Sequence, residues 1–300
     1  MTRSRGLGDV YKRQSNVWSE VASSLVEQFD LYYLDLPGVG VNCNVTVQSL
    51  EDFLRRFNTE IATQLPSSYS VIGWSLGGVI SSLLAERYPE SIKSLVLIAT
   101  SPQFVRDDAW PLGMDEQVFA AFSQQLRTNP SATITKFQLL QAQGAPSARQ
   151  DLKRIKSLHV VDYDDAMLAR SLEWLRDTSI IPCWSNLLVP VQLHFGRHDG
   201  LVSISLEQYK GILPSGASVE IFESSAHLPF LSEPTLWLER SVRFLFAHVD
   251  DNTQRLFGEH IDKMSVSRAF SKAAKVYDER ALLQHQVCIE PVSYTHLRAH

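Results

Sequence analysis

A chain of 300 residues with 44% hydrophobic and 20% charged side chains has an ordinary globular composition, with room for one large domain or two smaller ones. A net charge of −5 argues against nucleic acid as a partner, and apolar runs such as Leu95–Ala99 are far too short to span a membrane. Cys43, Cys183 and Cys288 lack C-x-x-C spacing and no hydrophobic signal core opens the chain, which excludes a disulfide framework and points to a cytoplasmic protein.

In chain order, the spacing of Val17, Trp18, Val21, Leu25 and Phe29 predicts a helix over 16–29. Residues 31–36 read as a strand that runs into the turn-rich Asp35-Leu36-Pro37-Gly38-Val39-Gly40. A helix over 49–65 leads to the apolar strand Ser70-Val71-Ile72, a second helix covers 79–88, and residues 94–99 form the next strand. Between 100 and 185 the pattern changes to three helical segments, 115–126, 131–143 and 147–175, the last broken near 160–163. Strands over 191–195 and 219–222 and an amphipathic helix over 234–247 follow. Alternating strands and helices imply an α/β fold with a mostly parallel sheet covered on both faces. The helical stretch is an insertion, a lid that caps the sheet and shapes a pocket.

Gly73-Trp74-Ser75-Leu76-Gly77-Gly78 reads G-x-S-x-G at the junction of a strand and a helix, the setting of a nucleophilic serine. A side chain at 73 or 77 would crowd the turn that lifts Ser75 Oγ above the sheet edge. The first N–H of the following helix, that of Leu76, points at the spot where an oxyanion develops. A plain strand-to-helix turn is the competing reading. A nucleophilic serine needs a base, and the base needs an orienting carboxylate. Asp199 and His227 each sit just past a strand, whereas His194 lies inside one and His159, His248, His260 and His285 fall on helices or linkers. His198 sits beside Asp199 and points away from the site that Asp199 faces. The chain order Ser75, Asp199, His227 is that of α/β-hydrolases. No metal or cofactor is expected, because histidines and carboxylates show no ligand spacing.

These residues together resemble the pimeloyl-[acyl-carrier protein] methyl ester esterases of biotin synthesis, a family of α/β-hydrolases. The matching stretches include Val17-Trp18, Leu34-Asp35-Leu36-Pro37-Gly38, Gly73–Gly78, Phe137–Gln141, Ala148-Arg149-Gln150-Asp151, Asp199-Gly200-Leu201-Val202 and Ala226-His227 with Pro229-Phe230, within 16–247. The resemblance implies a carboxylesterase that frees the carboxylate of a pimeloyl chain carried on acyl carrier protein. It implies a Ser75–His227–Asp199 triad acting through an acyl-enzyme, Leu76 as oxyanion donor, and substrate contacts from Ser75, Leu76, Phe137, Gln141 and His227. An acidic carrier protein suits a basic lid, and Lys136, Arg149 and Lys153, with Arg154 and Lys156, concentrate positive charge there. Two rivals stand beside this reading: another serine α/β-hydrolase, such as a general esterase or a carbon–carbon bond hydrolase, and a non-catalytic hydrolase-fold binding protein.

The ends depart from the family pattern. The hydrolase domain is expected over 15–248, with the lid at about 100–185, and residues 1–14 and 291–300 are expected to be non-native sequence. The family's first three strands and its His-Gly-x-Gly loop, source of the second oxyanion N–H, have no counterpart in residues 1–14. Their absence is expected to leave an empty sheet position between the 31–36 and 70–72 strands, and a weak or inactive chain. After a linker over 249–263, residues 264–290 resemble the first helix of malonyl-[acyl-carrier protein] O-methyltransferases, as if a second domain began there.

Overall fold

A computed structural model describes residues 16–26, 28–157, 162–248 and 288–293. A single turn over Asn16–Trp18 opens α1 (Ser19–Leu25), followed by two short strands, β1 (Asp30–Leu31) and β2 (Leu34–Asp35). Helix α2 (Leu50–Arg56) starts where the Ser49 hydroxyl accepts from Asp52 N–H at 3.1 Å, and winds on through Gln64 in wider and tighter turns. Strand β3 (Tyr69–Trp74), helix α3 (Leu76–Arg87) and strand β4 (Ile92–Ile98) form the central crossover.

The lid is α4 (Glu116–Thr128), α5 (Pro130–Ala142), α6 (Ala148–Ser157) and α7 (Asp165–Asp177). Asp115 caps α4, Asn129 with Pro130 opens α5, and Asp164 caps α7 through the Met167 N–H at 2.7 Å. The third helical segment is therefore two helices, α6 and α7, and the chain turns between them where Tyr163 bridges to Val39. Helix α8 (Ile181–Asn186) falls inside the stretch read as lid but packs on α3: Trp184 Nε1 donates to Ser82 Oγ at 3.1 Å. The chain continues as β5 (Val191–Gly196), α9 (Leu206–Tyr209), β6 (Ser218–Phe222), α10 (Pro229–Ser232) and α11 (Pro234–Ala247).

Strands β3, β4, β5 and β6 are parallel neighbours in that order. Their side chains alternate, as the pleat requires. Val71, Leu95, Leu97 and Leu193 enter one core with α2 and α3, while Ile72, Trp74, Val96 and Ile98 enter the other with α1 and α11. Burial on both faces explains why these strands read as continuous apolar runs.

The expected vacancy beside β3 is filled. Strand β7 (Cys288–Ser293) lies antiparallel between β3 on one side and β1 and β2 on the other. Backbone N–H and C=O groups along an open edge accept any strand that presents its own row of donors and acceptors, so side-chain periodicity does not forecast this pairing. Residues 288–290 are accordingly strand where helix was expected. The helix expected over 265–286 lies outside the described residues, as do 1–14 and 294–300.

Candidate active site

Strand β3 ends at Trp74, and Ser75 follows with φ 54° and ψ −118°, a left-handed conformation that non-glycine residues rarely hold. The turn is fixed on both sides: Ser75 N–H donates to Ile98 O at 2.8 Å, and its carbonyl accepts from Gly78 N–H at 2.9 Å. Space is the second constraint. A Cβ at Gly73 would lie 2.5 Å from Ser81 Oγ and 2.7 Å from Gly77 O, and one at Gly78 only 1.9 Å from Thr100 Oγ1. The crowding expected at Gly73 is therefore present, and Gly78 adds a second close approach. Ser75 is half-buried, and Leu76, the first residue of α3, carries an N–H that precedes any carbonyl of its own helix.

Asp199 and His227 meet from the loops after β5 and β6. His227 Nδ1 donates to Asp199 Oδ2 at 2.8 Å, with side chains 1% and 0% exposed. The other carboxylate oxygen accepts from Leu201 N–H at 2.8 Å and Val202 N–H at 3.1 Å, so Asp199 cannot rotate without losing three bonds. Nearby, burial and then the Asp199 charge push the Tyr209 hydroxyl well above its ordinary range. Gly196 permits the approach of the two loops: a Cβ there would stand 1.8 Å from Ala226 O. His227 is held by its backbone as well, its N–H donating to Gln141 O at 3.1 Å and its carbonyl accepting from Trp74 Nε1 at 2.9 Å. Nδ1 is thereby committed to the carboxylate, while Nε2 is buried and has no partner among the described residues.

A cavity of about 140 Å³ opens at Ser75. Its floor is Trp74, Ser75 and Leu76, and its roof comes from α4, α5 and α7. Phe137 and Gln141 line it, one turn apart on α5, and Gln141 Oε1 is buried without a partner among the described residues. A second apolar cavity of about 360 Å³ lies between the lid helices and shares Phe122, Phe137, Leu172 and Leu175 with the first; Lys136 is at its margin. Of the residues predicted from sequence, Ser75, Leu76, Phe137 and Gln141 line one space, and His227 is tied to it through Gln141 O and the Trp74 indole.

Lys136, Arg149 and Lys153 are exposed on α5 and α6, the last two one turn apart on the same face. Arg154 does not belong with them. It reaches inward to Leu231 O at 2.8 Å and pairs with Glu20 at 3.4 Å and Asp151 at 3.5 Å, joining lid to core. Sequence reasoning missed Phe122, Leu168, Ser171 and Leu172 as cavity residues. For Leu168, Ser171 and Leu172 the signal is the i, i+3, i+4 stripe Leu168, Ser171, Leu172, Leu175 on α7, in which one member is polar. Among the described residues no group of three or more His, Cys, Asp or Glu could hold a metal ion, and no helix is long and apolar enough to cross a membrane.

The sequence profile of the alpha/beta hydrolase fold matches residues 6–234. A pimeloyl-[acyl-carrier protein] methyl ester esterase of Pseudoalteromonas atlantica is 36% identical over 221 residues, 73% of this chain and 84% of that protein. Esterases of the same description from Vibrio vulnificus and Klebsiella pneumoniae are 32% and 34% identical, covering 76% and 75% of this chain and 88% and 86% of theirs. Among solved structures, a hydrolase from Oleispira antarctica superposes with a TM-score of 0.60 at 14% identity, covering 77% of this chain and 86% of that one. An esterase from Exiguobacterium antarcticum gives 0.56 at 20%, covering 66% and 74%. At those identities the two structures speak to the fold alone. The chain is a carboxylic ester hydrolase that belongs to the alpha/beta hydrolase fold family and, within it, to the family of the pimeloyl-[acyl-carrier protein] methyl ester esterases.

Proposed function

We propose that the protein hydrolyses the methyl ester of a pimeloyl chain carried on acyl carrier protein, in the synthesis of biotin, through a Ser75–His227–Asp199 triad. The observation that carries this reading is the buried 2.8 Å Asp199–His227 bond, which leaves His227 Nε2 unpartnered beside the strained Ser75 turn. His227 takes the Ser75 proton as Oγ attacks the ester carbonyl, and Asp199 holds the tautomer and stabilises the imidazolium. The Leu76 N–H receives the oxyanion. His227 returns the proton to methanol, and water, activated by the same imidazole, resolves the acyl-enzyme. Ser75 Oγ and His227 Nε2 make no hydrogen bond in this structure, in keeping with catalytic bonds that tighten only around substrate.

Phe137 and Gln141 supply substrate contacts, the ring against methylenes and the amide toward a carbonyl. Lys136, Arg149 and Lys153 steer an acidic carrier protein onto the lid. A fluorophosphonate probe applied to the chain and to Ser75→Ala, with the label located by mass spectrometry, tests the nucleophile. Ser75-dependent labelling together with turnover of the carrier-linked ester supports the reading. A folded protein that takes no label would instead favour a binding role.

A further inference from the structure

The cavity at Ser75 is lined mainly by leucine, isoleucine and phenylalanine, and among the described residues hydroxyl or amide groups come only from Ser75, Gln141 and Ser171. Ser75 and Gln141 already have roles. Ser171, in the middle of α7, has none, and its hydroxyl is anomalous. Ser81, Ser82, Thr133 and Thr135, also within helices, donate to the carbonyl four residues back at 2.6 to 2.9 Å. Ser171 Oγ is buried and makes no such bond, nor any other among the described residues. Ser24 and Ser241 are likewise unpartnered but belong to α1 and α11 and line neither cavity.

An unpaired buried hydroxyl that borders an apolar cavity is suited to a ligand atom. Among the described residues no lysine or arginine lines this space, so a free carboxylate entering it would be stranded without compensation. A neutral carbonyl needs one donor and fits. We propose that Ser171 is a specificity-determining residue: its hydroxyl donates to a second carbonyl on the acyl chain held at Ser75, so the cavity selects aliphatic chains with an ester or thioester at both ends. Ile134, Phe137 and Leu172 then enclose the methylenes between. The inference rests on the reading of the Ser75 cavity as the acyl site, and there the second carbonyl is the thioester to the carrier.

The test compares dimethyl pimelate with methyl nonanoate, a monoester of equal chain length, in the full chain, Ser171→Ala and Ser171→Thr. The ratio of kcat/KM for diester over monoester is expected to fall about fivefold in Ser171→Ala and to survive in Ser171→Thr, which keeps the hydroxyl. A ratio unchanged by Ser171→Ala in a protein of normal melting temperature overturns the proposal and leaves the esterase reading intact. A parallel arm measures equilibrium binding of both esters to Ser75→Ala with and without Ser171→Ala. If hydrolysis proves independent of Ser75, the catalytic reading fails, and loss of the binding preference for the diester still decides the role of Ser171.

Discussion

The sheet and the lid are built to different standards of packing. At the carboxyl ends of β3, β5 and β6, Asp199 and His227 are sealed to 0% and 1% exposure, and Trp18, Trp74, Phe230 and Trp237 pack ring on ring beneath them. The lid leaves Val118 57% and Leu139 49% exposed and keeps two apolar cavities open between its helices. In the proposed reading these are reacting groups, which tolerate little misplacement and sit where close packing fixes them. In the proposed reading the surface that receives a chain needs free volume, and the lid helices keep it while burying Phe119, Ile155, Met167 and Trp174 in the two cores and tying to them at polar points. Arg154 with Leu231 O and the Gln141 carbonyl with His227 N–H are two of those points.

If this division holds, changes at the sheet ends abolish turnover of every ester, and changes in the lid alter which ester is preferred. Ser75→Ala is expected to lower kcat by about 10⁶-fold on any ester with no change in melting temperature. Asp199→Asn should cost about 10⁴-fold, because the wrong imidazole tautomer then faces Ser75; steady-state rates on a small free ester measure it. Gly196→Ala forces a Cβ against the Ala226 carbonyl and separates the two loops, so it should destabilise by about 1–3 kcal/mol and lose activity on all esters alike. Denaturant unfolding and a small-ester assay check both effects, and a normally stable, active variant would erase the distinction between the two regions. Charge reversal at Arg149 and Lys153 should slow turnover of the carrier-linked ester several-fold and spare the free ester. Equal losses on both would make that lid face structural.

The last expected effect is on pH dependence. His194, fully buried on the α11 face with its Nε2 2.8 Å from Gln192 Oε1, is pushed down to about 3 by burial and, less, by the Arg240 charge. Its folded value lies below its ordinary 6.5, so the unfolded chain binds the extra proton between the two. The contribution is full above 6.5 and drains away as pH falls toward about 3. Melting temperatures between neutral and acid pH should show this slope in the parent and a shallower one in His194→Gln.

Much of the core was legible because one-dimensional pattern suffices for it. Apolar runs gave the strands, glycine spacing gave the Ser75 turn, and positions just past strands pointed to Asp199 and, among nine histidines, to His227. Less legible were features set by contacts between distant segments. Residues 31–36 read as one strand, but two short strands, Asp30–Leu31 and Leu34–Asp35, form there, both paired with β7, and nothing in the side-chain pattern of 288–293 announces that pairing. Arg154 read as surface charge until the lid folded it onto Glu20 and Leu231. The sequence by itself determined which chemistry we propose for the chain, since candidates for a nucleophile, a base and an orienting acid depend on residue type and strand-end position. Tertiary structure alone decided the pocket, because Phe122, Gln141 and Ser171 come from three helices whose relative placement no local periodicity encodes.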